Sequence, residues 1–126
     1  MNSRNIDILE RMIRYCKEIE EAQVRFGNTL ESLQTDALYK NAVAMCILQI
    51  GELTANLTDD FKSTYAEVPW QKIKGMRNIA AHHYSKFDAE LMFKTMTERI
   101  PELLDYCEKI ASQYTLLEQE TENISE

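Results

Sequence analysis

The spacing of apolar residues predicts that nearly the whole chain is helical. From about Ile6 to Phe26, apolar residues recur at intervals of three and four along two adjacent strips, which is the pattern of an amphipathic helix. Together the strips form a face wider than a surface helix needs. This first helix therefore either packs deeply in its own bundle or also contacts another subunit. Gly27 and Asn28 then provide a helix stop signal.

A second helix is predicted over residues 36–57. Its segment 42–48 is apolar on all sides, as expected of a central, buried helix. Gly51 lies inside this helix, where glycine often marks a close approach of two backbones. The adjacent Glu52 must either reach solvent or meet a cationic partner. The connection over residues 57–68 is predicted to contain a short helical piece.

The second half of the chain predicts two further helices. Pro69 fits the first position of a third helix ending near His83, and Asp88 can cap a fourth. Pro101 should kink or interrupt this fourth helix, and the acidic tail, residues 118–126, should fray. The result is one all-α domain over residues 1–126, an antiparallel up-and-down bundle of four to five helices.

Composition supports a helical protein and restricts its partners. The chain has only 3 Gly and 2 Pro among 126 residues, and its formal net charge is −7. A global acidic balance opposes binding to nucleic acid, because affinity for phosphate backbones comes largely from Lys and Arg. Any function on RNA therefore needs a local positive exception.

Cysteine usage and hydropathy predict a cytoplasmic location for the chain. Cys16, Cys46 and Cys107 are an odd number at wide spacing, which is neither a disulfide framework nor a CxxC metal site. Each lies in an apolar stretch, where a buried free thiol is typical of a reducing compartment. The N-terminus carries charges throughout and no apolar run is long enough for a membrane span.

The local positive exception lies in residues 68–87. These 20 residues contain no Asp or Glu, although the chain holds 21 acids. The same window contains Lys72, Lys74, Arg77 and Lys86, both histidines and the only tryptophan. It can attract a phosphate backbone, while the surrounding acids disfavour indiscriminate RNA binding. Lys72 and Lys74 are accordingly candidates for positioning RNA.

The segment 76–84 holds the side chains that a metal-free ribonuclease needs. A proton must leave the ribose 2′-OH and another must reach the leaving 5′-oxygen, and His82 can do both because its unperturbed pKa is about 6.5. Arg77 can bind phosphate oxygens bidentately. Tyr84 can donate to phosphate or stack on a base. His83 is either a further base or a space-filling residue.

Helical geometry complicates this site. On an ideal helix Arg77 and Tyr84 point the same way, whereas Arg77 and His82 lie about 140° apart. Either the helix ends or distorts near His82, or a second copy of the chain completes the site. A two-fold homodimer would bring two Arg/His sets into one cleft, and it would also give the wide apolar face a function.

At this point the sequence resembles a known family. Arg77-x4-His82-x-Tyr84 matches the Rx4HxY motif of the HepT-like toxins of the HEPN superfamily, and the polar Asn78 also fits that pattern. Further agreement is found in three segments, residues 50–52, residues 68–70 ahead of residues 75–78, and residues 101–103. The resemblance spans roughly residues 6–110.

The resemblance implies a function and a set of partners. Arg77 and His82 match the family's catalytic pair, which cleaves RNA, typically tRNA, without a metal ion or cofactor. Asn78 matches a supporting position. Tyr84 matches the tyrosine that a partner minimal nucleotidyltransferase, the antitoxin, modifies with AMP to silence the toxin. Family members are dimers with the site at the interface.

Simpler interpretations stand beside this one. Arg77 could be a surface residue paired with an acid, and the histidines could be favoured by the helix dipole or bind a metal. The hydroxyl of Tyr84 could simply find a local partner. The alternative function is a non-catalytic helical partner, or a nucleotide- or substrate-binding subunit, of a minimal nucleotidyltransferase.

Overall fold

The computed structural model describes the backbone of residues 3–85 and 88–125 and the side chains of residues 3–80 and 88–117. Within these ranges every regular element is helical, which confirms the all-α prediction. The elements are α1 (Ser3–Phe26), α2 (Leu30–Thr35), α3 (Ala37–Ala55), α4 (Asp59–Thr64), α5 (Trp70–Ser85), α6 (Ala89–Lys94), a π-helical segment (Thr95–Arg99) and α7 (Ile100–Ser125). None of the helices described is long and apolar enough to cross a membrane.

Contacts at both ends show that α1 and α3 are antiparallel. At the start of α1, the side chain of Asn5 donates to Thr58 Oγ1 (3.0 Å) and accepts from the Thr58 backbone N–H (3.1 Å), just beyond the end of α3. At the other end, the ring of Phe26 stacks on Tyr39 with centroids 5.2 Å apart. Because Asn5 is buried, this reciprocal pair satisfies polar groups that would otherwise be costly inside the protein.

The central position of α3 confirms the prediction from its apolar segment. α3 packs against α1 on one side and against α5 on the other, and α7 closes the bundle against α1.

Both apolar strips of α1 face this core. The buried positions of α1 include Ile8, Leu9, Met12, Cys16, Ile19 and Ala22, and Ile6, Ile13, Tyr15 and Phe26 pack partly buried against them. Packing within one bundle therefore explains the width of the face, and dimerisation stays a prediction.

All three cysteines lie free in this core, as their apolar surroundings predicted. Burial raises the pKa of the Cys46 and Cys107 thiols to about 12 and also raises the pKa of Cys16. Loss of solvation disfavours the thiolate, so these thiols are inert packing groups at neutral pH.

Local chemistry fixes most helix ends where they were predicted. α1 stops at Gly27, whose φ of +100° is a left-handed conformation that favours glycine. Asp36 caps α3 by accepting from the Leu38 N–H at 2.9 Å, and Asp88 caps α6 by accepting from the Leu91 N–H at 3.0 Å. The short helical piece expected before Val68 is α4.

Two details differ from the sequence prediction. α2 was not anticipated, because its six residues show no helical period and bury only Leu33. α5 begins at Trp70, one residue later than predicted, since the Pro69 carbonyl accepts from the N–H groups of Lys72 (3.0 Å) and Ile73 (3.1 Å) and so acts as the cap. Trp70 is buried and donates its indole N–H to the Tyr65 carbonyl at 3.1 Å.

The predicted interruption at Pro101 takes the form of the π-helical segment. Pro101 lies in the first turn of α7, directly after this segment, and the Ile100 N–H bonds the Thr95 carbonyl five residues back. A proline inside a helix lacks an N–H and clashes with the carbonyl four residues earlier, so the wider π turn accommodates it. The backbone of α7 then stays helical to Ser125, and fraying of the acidic tail remains a prediction.

Candidate active site

The main chain of Arg77 is held where α5 crosses α3 at Gly51. Gly51 is buried, and a Cβ added to it would lie 2.9 Å from Arg77 Cβ, 3.1 Å from the Arg77 nitrogen and 3.2 Å from the Lys74 carbonyl oxygen. Real Cβ atoms essentially never come within 3.0 Å of such neighbours. The close backbone approach predicted at Gly51 is therefore confirmed, and it fixes the base of the Arg77 side chain.

The next residue of α3, Glu52, meets the head group of that arginine. Arg77 Nη1 donates to Glu52 Oε1 at 3.4 Å, and the two side chains are 41% and 51% exposed. Glu52 thus both reaches solvent and finds a cationic partner. A single long contact at this exposure is worth well under about 1 kcal/mol. A phosphate, which can take two guanidinium N–H groups in parallel, can therefore replace it as the main partner.

The other predicted RNA-positioning residues of α5 lie on more than one face. Asn78 and Lys72 are exposed, and Lys74 is partly exposed one turn before Arg77. The carbonyl of Lys74 faces α3 at Gly51, whereas Lys72 lines a groove on the α6 side of the helix. Lys72 therefore lies on a different face of α5 from Arg77, whereas Lys74, three residues before Arg77, lies only about 60° from it around the helix.

The remaining motif residues are only partly covered by the structure. His82 and Tyr84, like His83, lie in the helical backbone of α5, which runs without interruption to Ser85. Their side chains lie outside the described residues, so the joint action of Arg77, His82 and Tyr84 stays a prediction. The backbone of α5 is helical three residues beyond His82. Both geometries considered for the site, an end or distortion of the helix near His82 and completion by a second copy of the chain, stay predictions.

Tertiary structure also brings acids close to the acid-free window. Glu52 comes from α3, and Glu98 and Glu102 line the groove beside Lys72. This groove has a volume of about 480 Å³ and lies between α5, α6, the π-helical segment and the start of α7. Sequence reasoning missed the groove completely. It did single out Glu52, through its position next to Gly51, but it did not identify Arg77 as the cation that Glu52 meets.

A metal centre finds no support in the described part of the chain. Among those residues no group of three or more His, Cys, Asp or Glu side chains is placed to hold a metal ion. Both histidines lie outside that search. The chemistry that the described residues can supply is therefore binding of an anion by a half-exposed guanidinium.

Comparison with known proteins gives a consistent picture. The family model described as ribonuclease HepT-like matches residues 12–110. A relative from Thermococcus cleftensis, named as a probable ribonuclease HepT, is 31% identical over 110 residues, which cover 87% of this chain and 98% of the relative. Two further relatives carry provisional RNase names. One from Caldanaerobacter subterraneus is 30% identical over 75% of this chain and 83% of its own, and one from Methanocaldococcus jannaschii is 30% identical over 93% and 89%. No solved structure matches the chain.

Proposed function

Because this chain belongs to the HepT-like ribonuclease family, we propose that it is a metal-independent endoribonuclease with Arg77 and His82 as its catalytic groups. The observation that carries the proposal is the placement of Arg77. Its main chain is packed against Gly51, while its guanidinium is half exposed and, among the residues whose side chains the structure describes, is held by one long contact to Glu52. Such a group is fixed at its base and open to a phosphate at its tip.

The reaction follows from the chemistry of these side chains. A histidine takes the proton of the ribose 2′-OH, and the 2′-oxygen forms a bond to phosphorus as the bond from phosphorus to the 5′-oxygen breaks. A histidine returns a proton to that leaving oxygen. Arg77 stabilises the charge that grows on the phosphate oxygens. In a homodimer two copies of His82 can divide the two proton transfers, which is the reason to propose a dimeric site.

Glu52 acts in this scheme as a positioning residue for Arg77. The carboxylate occupies one side of the guanidinium at 3.4 Å, so it restricts the side chain without neutralising all its donors, of which a guanidinium has five. Asn78, exposed on the same helix, and Lys74 contact the RNA backbone in this scheme.

The proposal predicts defined products from RNA in the absence of any metal. Purified protein incubated with total tRNA and EDTA should produce fragments with 2′,3′-cyclic phosphate and 5′-hydroxyl ends, because the 2′-oxygen is the nucleophile. Enzymatic end-labelling of the fragments measures both ends. Products with 5′-phosphate ends, or cleavage that requires magnesium, would contradict the mechanism. An inert chain would favour the non-catalytic partner of a nucleotidyltransferase.

We also propose that this ribonuclease is the cytoplasmic toxin of a toxin–antitoxin pair and that its antitoxin is a minimal nucleotidyltransferase. The support is the Rx4HxY motif, in which Tyr84 takes the position of the AMP acceptor. There the phenol oxygen would lose its proton and form a bond to the α-phosphorus of ATP. The bond from that phosphorus to the oxygen bridging the α- and β-phosphates would break, and pyrophosphate would leave with that oxygen.

Modification of Tyr84 should be visible by mass spectrometry. Co-expression with the proposed nucleotidyltransferase antitoxin should add the mass of an AMP group to this chain and abolish RNA cleavage. The Tyr84→Phe variant should gain no mass and should stay active, whereas Tyr15→Phe, a half-buried tyrosine of α1, should be modified like the wild type. AMP found on Tyr84→Phe would place the acceptor elsewhere.

A further inference from the structure

The groove on the α6 side of α5 has no part in the mechanism above. Its volume of about 480 Å³ lies within the range of small-molecule sites, roughly 300–1,000 Å³. It is separated from Arg77, which faces α3, by the width of the helix, but it shares α5 with the whole motif. A ligand seated in the groove would therefore lie beside the helix that carries the proposed catalytic residues.

The charges around the groove are arranged for a ligand rather than for each other. Lys72, Lys94 and Arg99 supply three cations, and Glu98 and Glu102 supply two carboxylates. Some of these residues are three or four positions apart on one helical segment. Even so, the ion pairs found among the described residues join none of these five charges to another. Their net excess is one positive charge in a chain of net charge −7.

The floor of the groove is apolar and partly open. Met76 and Ile79 of α5 and Leu91 of α6 line it, and Leu91 is 44% exposed although it is a large apolar residue. Gly75 also lines it, and a Cβ built on Gly75 meets no atom within 4 Å. The apolar floor offers a surface to a flat ring. The cations at its edge, which form no ion pair within the part of the chain that the structure describes, offer a second surface to a phosphate.

We propose that this groove binds one nucleotide of the RNA strand, about three nucleotides from the cleaved bond, and so extends the substrate site of the proposed ribonuclease on which this inference rests. The base lies on the apolar floor, and the phosphate meets Lys72, Lys94 and Arg99. Glu98 and Glu102 accept hydrogen bonds from the base edge or the ribose hydroxyls. The two carboxylates would repel a polyanion without such donors, so the groove distinguishes a nucleotide from a bare phosphate.

The distance along α5 fits a flanking nucleotide. Seven residues separate Gly75 from His82, which is about 10 Å of rise along a helix. At about 3.4 Å per stacked nucleotide of a strand, that length corresponds to some three nucleotides. This also gives Lys72 a function of its own, since it points away from the contact of α5 with α3.

Binding in the groove can be measured without any cleavage. In protein with 13C-labelled Met and Leu methyl groups, titration with AMP should shift the methyl signals of Met76 and Leu91 saturably. Inorganic phosphate should not shift them. The methyl signals of Met45 and Leu38, which are exposed on α3, provide an internal control and should not move.

Two kinds of variant separate the groove from its surroundings. Gly75→Leu adds a side chain into open space and should weaken AMP binding at least about tenfold, as should the double variant Lys94→Gln, Arg99→Gln. The matched control is Lys109→Gln, because Lys109 is an exposed lysine of α7 paired with Asp105, and it should bind AMP as the wild type does. On RNA, Gly75→Leu should raise KM by a similar factor and leave kcat nearly unchanged.

Several results would overturn the proposal. In the titration, these are the absence of methyl shifts with AMP, or equal shifts with inorganic phosphate. Among the variants, they are wild-type affinity for AMP in Gly75→Leu or in the double variant, or a loss of AMP affinity in Lys109→Gln as large as in those variants. An unchanged KM in an active Gly75→Leu variant would also refute it while leaving the ribonuclease intact. Since the AMP titration needs no cleavage, a chain without nuclease activity would still show whether the groove takes a nucleotide.

Discussion

RNA cleavage is expected to fall at least about a hundredfold when either Arg77 or His82 is replaced by alanine. Loss of His82 removes the group that moves protons at neutral pH. Loss of Arg77 removes the positive charge that stabilises the phosphate as its negative charge grows. Arg77→Lys should recover only part of the rate, because an ammonium group keeps the charge but not the bidentate geometry.

The fold should survive the Arg77 substitution, which makes the loss of cleavage interpretable. The pair with Glu52 is single, long and half exposed, so its removal should change the free energy of unfolding by less than about 1 kcal/mol. The matched control is Arg25→Ala. Arg25 also pairs with a glutamate, Glu21, at 2.7 Å, but on the exposed end of α1.

Single-turnover cleavage rates and thermal melting curves of the variants provide the measurement. Arg25→Ala should cleave RNA at the wild-type rate. Arg77→Ala should have a melting temperature within a few degrees of the wild-type value. Wild-type cleavage by Arg77→Ala or by His82→Ala would refute the catalytic assignment of that residue. If Arg25→Ala lost as much activity as Arg77→Ala, the effect would be one of overall charge and not of position.

Gly51→Ala is expected to destabilise the protein and to impair cleavage together. The new methyl group would lie 2.9 Å from Arg77 Cβ and 3.1 Å from the Arg77 nitrogen, so α5 must move away from α3. Overpacking of this kind typically costs about 1–3 kcal/mol of unfolding free energy. A displacement of Arg77 by about 1 Å could lower the cleavage rate by as much as about a hundredfold.

Gly75→Ala is the matched control for Gly51→Ala. It makes the same chemical change, glycine to alanine, in α5, the helix that packs against α3. A Cβ at Gly75 meets nothing within 4 Å, so this variant should be more stable than the wild type by up to about 1 kcal/mol through helix propensity alone. Urea unfolding of both variants gives the comparison. Equal stability changes in the two variants would show that the contact of α3 with α5 does not constrain position 51.

The contrast between these glycines marks a limit of sequence reasoning. Both are single glycines within predicted helices, and close approach of a neighbouring backbone was predicted only at Gly51. The structure confirms that suggestion and identifies the opposing residue as Arg77, which no periodicity could supply. At Gly75 the structure instead has an open groove, where an added Cβ would meet no atom within 4 Å.

Charge was similarly misleading when it was counted along the chain. Residues 68–87 contain no acid, yet Glu52, Glu98 and Glu102 approach this window from other helices. Helix packing therefore converts an apparently basic stretch into two separate sites, a guanidinium with a single carboxylate and a groove of mixed charge. Lys72 lines the groove on the α6 side of α5, whereas Arg77 meets Glu52 of α3, so these two cations lie on different faces of the helix.

By itself the sequence determined the helical class, most helix boundaries, the buried central helix and the family. These depend on properties that are local in the chain, namely the 3.6-residue period, the capping residues Asp36 and Asp88, and a motif within one helix. Only the tertiary structure decided that the broad apolar face of α1 is covered within the bundle, that Glu52 meets Arg77, and that a groove lies beside α5. Each of these depends on the relative placement of helices distant in sequence, which is set by the packing of side chains such as that against Gly51 and not by any periodic pattern.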